Sequence, residues 1–400
     1  MDYFMREKRG RPQESEASAP PPLPPHIMAM EMTCDRGLPA LPTISLCMIV
    51  RNESADIRRC LDSARGIADE IVVVDTGSTD DTKQICSEYG AKILDLPWPG
   101  DFAAARNFGL REAVGDWILW LDADEELQVP DLSALRSRLE AAEDLLRIKM
   151  LHFYGREPVG ETRAYVSFAA RLFRNHAGIR FRGKIHEQPA LPEGGPPARG
   201  GVLPCLRILH YGYLDDSGRD KGARNVPLLM EEKEADPENP WLDYFLAAEL
   251  CRAGDDGGAF GAVNRSVAGF LKQGRMPPAL AYKLKYDILI RTQSFSSVLA
   301  GIGKAIALYP DYTDLHFYEG IARMSFENYE EAKRSFCRCL ILGQSNPEYL
   351  ILLGTGSFLA LYYLGLCYEK QGKFDRAAES YRQALCYDPD FAPAKQKLGE

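Results

Sequence analysis

The sequence predicts an α/β domain built on a mixed, mostly parallel sheet, followed by an all-α domain of stacked helical repeats. Three observations carry this expectation. Between residues 43 and 127, four short apolar runs alternate with stretches whose apolar residues fall at helical spacing. Each run stops in a cluster of polar residues. After about residue 220 the strand-like runs cease, and small and large residues recur at the period of a two-helix unit.

The totals narrow the function classes. The chain has 400 residues, 46% apolar and 26% charged, with a net charge of −9. That balance argues against nonspecific binding to nucleic acid or an anionic membrane. No apolar run approaches the ~18–20 residues of a membrane span. The start, MDYFMREKRGRPQESE, lacks the apolar core of a signal peptide. The ten cysteines are scattered and form no CxxC pair, so a structural zinc site is not expected, and reduced thiols in a cytoplasmic protein are. Residues 1–42 read as a disordered Pro-rich leader, and a start at Met28, Met30 or Met32 is left open.

Order is expected from TISLCMIV (43–50), whose unbroken hydrophobicity suits a parallel strand covered on both faces. A helix follows, with Ile57, Cys60, Leu61, Ala64 and Ile67 on one side and Ser54 as its N-cap. EIVVVD is the second strand, and STDDTKQICSEYG the next helix, with Ser78 or Thr79 near its cap and Gly90 past its end. AKILDLPW is the third strand, FAAARNFGLREAVG the third helix and DWILWLDADEEL the fourth strand. In such sheets ligands sit at the carboxyl ends of the strands. Arg51, Asn52, Glu53, Asp75, Ser78 and the Asp122 cluster should therefore gather on one edge. From 145 to 215 further strands are expected, the first ones antiparallel, with LPEGGPPARGG as a loop.

The helical part runs over 221–400, after an α/β domain at 43–220. In ALYYLGLCYEKQGKFDRAAESYRQALCYDPDF, residues Leu361, Leu364, Gly365, Tyr368, Ala377, Tyr381, Ala384 and Pro389 fall at tetratricopeptide-repeat spacing. Gly365 and Ala377 are small where two helices must touch. FYEGIARMSFENYEEAKRSFCRCL repeats the scheme with Gly320, Ala332 and Phe336. The insert GQSNPEYLILLGTGS separates these two copies, and WLDYFLAAELCRAGD is read as the opening of the array.

The fourth strand runs into Asp122, Asp124, Glu125 and Glu126. Four carboxylates that close repel one another unless they are solvated or a cation lies among them. If Asp122-Ala123-Asp124 continues the strand, its two carboxylates share one face. They would suit a hard divalent ion, Mg²⁺ or Mn²⁺, able to neutralise a departing diphosphate. The plain alternative is a solvated loop beyond the strand end.

The tract does not stand alone. LCMIVRNE, ADEIVVVDTGSTD, FAAARNFGL and GDWILWLDADE occur in order, each at a strand end or helix start. Together they resemble family 2 glycosyltransferases, which have the nucleotide-sugar-binding GT-A fold. The resemblance covers about residues 43–215. In more detail it resembles the branch that includes bacterial lipopolysaccharide-core glucosyltransferases and peptide S-glycosyltransferases, whose peptide-modifying members also carry helical repeats.

The resemblance implies roles. Asp75 would accept from the uracil N3–H of a UDP-sugar, with Arg51, Asn52 and Glu53 along the base and ribose and Ser78 and Asp80 in the same wall. Arg106 would hold base or phosphate, and Asn107 would orient it. Asp122 would reach the ribose or the metal shell, with Ala123 in the same binding segment, and Asp124 would ligate the metal. His210 in LHYGY is the first choice for a further metal ligand and His186 in KIHEQ the second, while His152, His176 and His316 lack a motif. Glu187 is the candidate base that deprotonates the acceptor, against a simple salt bridge to Arg182 or Lys184; Glu125 and Glu126 are its alternatives. Trp117 and Trp120 are read as core.

The expectation is an inverting, metal-dependent hexosyltransferase using a UDP-sugar. Its acceptor would be a peptide, protein or cell-surface glycan gripped partly by the repeats, and a homodimer is one allowed assembly. A degenerate scaffold with the repeats as the working part is the second reading. A nucleotidyltransferase would open with a Gly-rich loop, which IVRNES lacks.

Overall fold

The computed structural model describes residues 41–141, 143–156, 160, 162–192, 199–214, 221–344 and 346–399. The leader reading for 1–42 thus lies outside the described residues except at Leu41 and Pro42, as does most of the loop reading for 191–201. Pro42–Glu400 form one compact unit.

The first half alternates β1 (Ile44–Val50), α1 (Ile57–Ser63), β2 (Glu70–Asp75), α2 (Thr82–Glu88), β3 (Lys92–Asp95), α3 (Phe102–Leu110) and β4 (Trp117–Trp120). After a turn come β5 (Glu125–Gln128), α4 (Leu132–Leu139), β6 (Leu145–Gly155), β7 (Ala164–Arg174), β8 (Arg180–Arg182), β9 (Gln188–Ala190) and β10 (Gly200–Leu214). The main sheet has the order β3-β2-β1-β4-β7-β6-β10-β5. β1 lies parallel to β2 and β4, with Val50 opposite Asp75 and Cys47 opposite Trp120. β7 is antiparallel to β4 and β6, and β10 runs parallel to β6. The centres of the parallel strands are apolar because helices cover both faces. Leu46, Met48, Ile57, Leu61, Trp117 and Leu119 fill one side; Cys47, Val72, Ile118, Trp120 and Phe181 fill the other. Trp117 and Trp120 are buried, as expected for core. Gly109 is required by close packing, since a Cβ there would stand 2.9 Å from Val74.

Two helices begin later than their sequence signals. Ser54 does not cap α1, because the helix starts only at Ile57 with Asp56 at its N-cap; the Ser54 amide donates instead to Asp80 Oδ2 (3.1 Å). α2 starts at Thr82, and the carboxylate that meets its first amide is Asp80's (3.1 Å). Both shifts free the intervening residues to shape the loops at the sheet edge.

The helical half comprises α5 (Lys221–Ala235), α6 (Pro240–Arg252), α7 (Asp256–Lys272), α8 (Ala279–Arg291), α9 (Phe295–Leu308), α10 (Thr313–Ser325), α11 (Tyr329–Leu342), α12 (Phe358–Lys370), α13 (Phe374–Tyr387) and α14 (Ala392–Leu398). The array opens with α5, ahead of the expected WLDYFLAAELCRAGD, which forms most of α6; Pro227 inside α5 masks the helical signal. A Cβ on Gly320 would meet Phe336 at 2.6 Å, and one on Gly365 would meet Tyr381 at 2.4 Å. These are the helix-to-helix contacts for which the repeat spacing demands a small residue. The insert between the two clear repeats holds β11 (Ile351–Leu352), which pairs antiparallel with Val166 and Tyr165 of β7. Helices and sheet also meet through Ile185, Leu229 and Leu242, packed with Phe102 and Phe245. Cys337 is exposed and Cys339 buried, and the nine described cysteines are free thiols.

Candidate active site

The loops after β1 and β2 are bound to each other. Asn52 sits at φ 55°, a left-handed conformation that asparagine tolerates. Its amide donates to Ser78 Oγ (3.0 Å), and its side-chain oxygen accepts from Thr79 N (2.8 Å). Glu53 N donates to Thr82 Oγ1 (2.7 Å). Burial works against the charge on Asp80, yet bonds from Thr82 and Ser54 hold its carboxyl down to about 2. Asn52, Ser78 and Asp80 therefore spend their polar atoms on the loop framework. That framework presents Arg51 and Asp75 to an open cavity of about 290 Å³, lined also by Lys83, Asp95, Leu96 and Trp98.

Asp75 is the singular group in that cavity. It is 1% exposed. Its Oδ1 accepts from the amides of Gly77 and Ser78 (both 2.9 Å), which fixes the carboxylate plane. Its Oδ2 is buried and accepts no hydrogen bond. Leaving a buried acceptor unsatisfied costs about 1–3 kcal/mol, so a donor belongs opposite it.

The acidic knot beyond β4 resolves differently from the strand-end expectation. β4 stops at Trp120, residues 121–124 turn, and β5 starts at Glu125. Asp122 and Asp124 therefore lie in a turn, where the alternation of a strand does not apply. The cations among the carboxylates are guanidinium groups. Arg106, 7% exposed, donates from Nη2 to Asp122 Oδ1 (2.7 Å) and from Nε to Glu187 Oε1 (2.6 Å). Arg171 donates from Nη2 to Glu125 Oε1 (2.5 Å) and lies 3.5 Å from Asp122 Oδ2. Both stack on Trp120, at 4.1 and 3.5 Å from its ring. Burial disfavours the Asp122 carboxylate, but Arg106 and Arg171 hold it well below the usual range. Burial pushes Glu125 up to about 8, against the pull of Arg171. Glu187 reaches the same pocket, and its partner is Arg106 rather than Arg182 or Lys184; Lys184 pairs with Glu231 (2.7 Å). Asn107 bridges the backbone of Phe181, so it braces the helix that carries Arg106.

Asp124, 5% exposed, faces His210, with Oδ1 and Nε2 3.6 Å apart. Two ligands on one octahedral Mg²⁺ with bonds of about 2.1 Å lie roughly 3.0–4.2 Å apart, so this pair fits a shared divalent ion. Asp122 is turned toward the two arginines, bonded to Arg106 at 2.7 Å and 3.5 Å from Arg171. Among the described residues no group of three metal-binding side chains converges, so ligand or water oxygens would complete a shell. His186 is elsewhere: it stacks on Phe245 (4.1 Å) and its Nε2 lies 3.8 Å from Glu249. His152, set aside from sequence, lies at the site with Nδ1 2.8 Å from His210 Nδ1. Burial, then His210 and Arg171, push its pKa well below the ordinary histidine value. A signal for it existed: KMLH (149–152) and RILH (207–210) are near-copies, and β6 and β10 pair them residue for residue. Arg171 and Trp98 carried no motif.

A sequence profile of Glycosyl transferase family 2 matches residues 45–190. A TPR repeat-containing protein of Synechococcus elongatus is 38% identical over 282 residues, 69% of this chain and 68% of that protein. The chain carries a glycosyl transferase family 2 domain. The glycosyltransferase residues end near β9, and a Tetratricopeptide repeat profile matches 358–391, across α12 and α13. The SPbeta prophage-derived glycosyltransferase SunS of Bacillus subtilis is 31% identical over 236 residues, 58% of this chain and 54% of its own length. An uncharacterized glycosyltransferase of Rickettsia felis is 46% identical over 84 residues, 21% of this chain and 29% of its own. The chain therefore spans about half of SunS and about two thirds of the Synechococcus protein. No helix among its described residues is long and apolar enough to cross a membrane.

Proposed function

We propose that this glycosyltransferase moves a hexose from a UDP-sugar, with inversion, to a peptide, protein or cell-surface glycan acceptor engaged partly by the helical repeats. The observation that carries the donor assignment is Asp75, which lines a cavity with Arg51 and Lys83 and whose buried Oδ2 accepts no hydrogen bond. An imide N–H such as uracil N3–H satisfies that oxygen, and the flanking cations suit ribose and phosphate.

Asp124 and His210 would hold a Mg²⁺ or Mn²⁺ ion. Bound there, the ion would neutralise charge on the departing diphosphate. Asp122, neutralised by two arginines, serves as the anchor of the turn that carries Asp124 rather than as a ligand. Glu187 is the base. Arg106 orients it through Oε1, and Oε2, which accepts no hydrogen bond among the described residues, takes the acceptor proton. A tetratricopeptide array beside a transferase sheet supports a protein or peptide acceptor, since such arrays present long concave binding surfaces.

The test is a thermal-shift panel of nucleotide sugars with and without Mn²⁺. A UDP-hexose should raise the melting temperature by mass action, and more with the ion present. UDP-hexose hydrolysis lost in Asp124→Ala supports the chemistry. No shift with any nucleotide sugar would leave the catalytic reading without a donor.

A further inference from the structure

Asp124 and His210 do not end the line of polar groups. His210 of β10 meets His152 of β6, Nδ1 to Nδ1 at 2.8 Å, and His152 Nε2 meets Ser167 Oγ of β7 at 2.8 Å. The chain Asp124–His210–His152–Ser167 therefore crosses three neighbouring strands of the sheet. Both ring nitrogens of His152 are engaged within it, so His152 is not itself placed to bind an ion.

With both rings neutral, they can be protonated in only two matched ways. A histidine that binds a divalent ion through Nε2 must carry its proton on Nδ1. His210 Nδ1 then donates to His152 Nδ1. His152 must in turn carry its own proton on Nε2 and donate it to Ser167 Oγ. In the opposite polarity Ser167 donates to His152 Nε2, and His152 Nδ1 donates to His210 Nδ1. The proton of His210 then lies on Nε2, directed at Asp124, and blocks the ion. No net proton is gained or lost between the two arrangements.

We propose that His152 and Ser167 are positioning residues that fix the tautomer of His210 and so set the affinity of the Asp124–His210 site for a divalent cation. This rests on the metal reading given above. Its physical basis is that strands hold all three side chains, so the acceptor for His210 Nδ1–H is in place before the ion arrives.

The experiment is Mn²⁺ titration of the full chain, read by the electron paramagnetic resonance signal of free Mn²⁺, in wild type, His152→Phe, His152→Asn and Ser167→Ala. His152→Phe fills the space but offers no acceptor, and should weaken binding about 10–100-fold. His152→Asn places an amide oxygen near the former Nδ1 and should recover most of that loss, which a purely structural role would not predict. Ser167→Ala should weaken binding several-fold and carries the test if His152→Phe does not fold. Equal affinity in His152→Phe and wild type, or no rescue by His152→Asn, overturns the inference and leaves the metal reading standing. Wild-type protein that binds no Mn²⁺ overturns both.

Discussion

Asp122 and Glu187 accept hydrogen bonds from one guanidinium, that of Arg106, at 2.7 and 2.6 Å. A residue from the turn after β4 and one from the segment before β9 are thereby fixed to the same face of α3. Arg106→Met leaves the buried Glu187 carboxylate without its partner and the partly exposed Asp122 with Arg171 alone. It should cost about 2–4 kcal/mol of stability, less than a fully buried pair because water screens Asp122, seen as a lower denaturant midpoint at unchanged slope. Arg106→Lys retains the charge but not two directed bonds, and should fall between the two.

Asp75→Asn tests the donor pocket. The amide oxygen can still accept from Gly77 and Ser78, which turns the NH₂ toward the cavity where Oδ2 stood. Two donors then face each other when uracil binds. UDP affinity should fall about 10–100-fold by calorimetry, with the melting temperature of the free protein changed little.

Acid stability should depend on His186. Burial depresses its pKa to about 4, with Glu249 opposing and Arg252 assisting. The unfolded chain takes up the proton near pH 6.5 while the folded one does not until about pH 4. In that window the unfolded state binds more protons, so stability falls as pH drops from 6.5 to 4. His186→Asn, which suits the φ of 53°, should remove a slope worth about 3 kcal/mol across the window. Urea melts at pH 4.5, 5.5 and 7 measure it.

Two glycines give opposite signs. Gly365→Ala drives a methyl to 2.4 Å from the Tyr381 ring and should destabilise the array by about 1–3 kcal/mol. Gly303, inside α9, has no atom within 4 Å of a new Cβ. Gly303→Ala should stabilise by about 0.5–1 kcal/mol through helix propensity. Circular-dichroism melts compare the two.

What the sequence disclosed follows from range. β1 to β4 and their helices were legible because each is a local pattern, an unbroken apolar run or a 3.6-residue period. Gly320 and Gly365 were legible because the repeat spacing places them against Phe336 and Tyr381. The partners of the acidic knot were not. Arg171 lies in AARLFRN, a strand whose pattern says only that it is part buried, and nothing local ties it to Glu125. Arg106 was placed at the pocket by its motif, but its commitment to Asp122 and Glu187 depends on three distant segments converging. β11 is two residues long, too short for any periodicity, and exists only because Val166 and Tyr165 offer an edge.

That short pairing bears on how the protein is made. β4 covers β7 only at Leu172–Arg174, so the margin around Val166 is closed by Ile351 and Leu352, near the far end of the chain. During synthesis at about 5–20 residues per second, the transferase sheet waits on the order of 10–40 s with that margin bare. An unpaired strand margin recruits other nascent chains. Ribosome stalling or premature termination within the helical half should therefore yield insoluble product, even though every family 2 motif has already been translated.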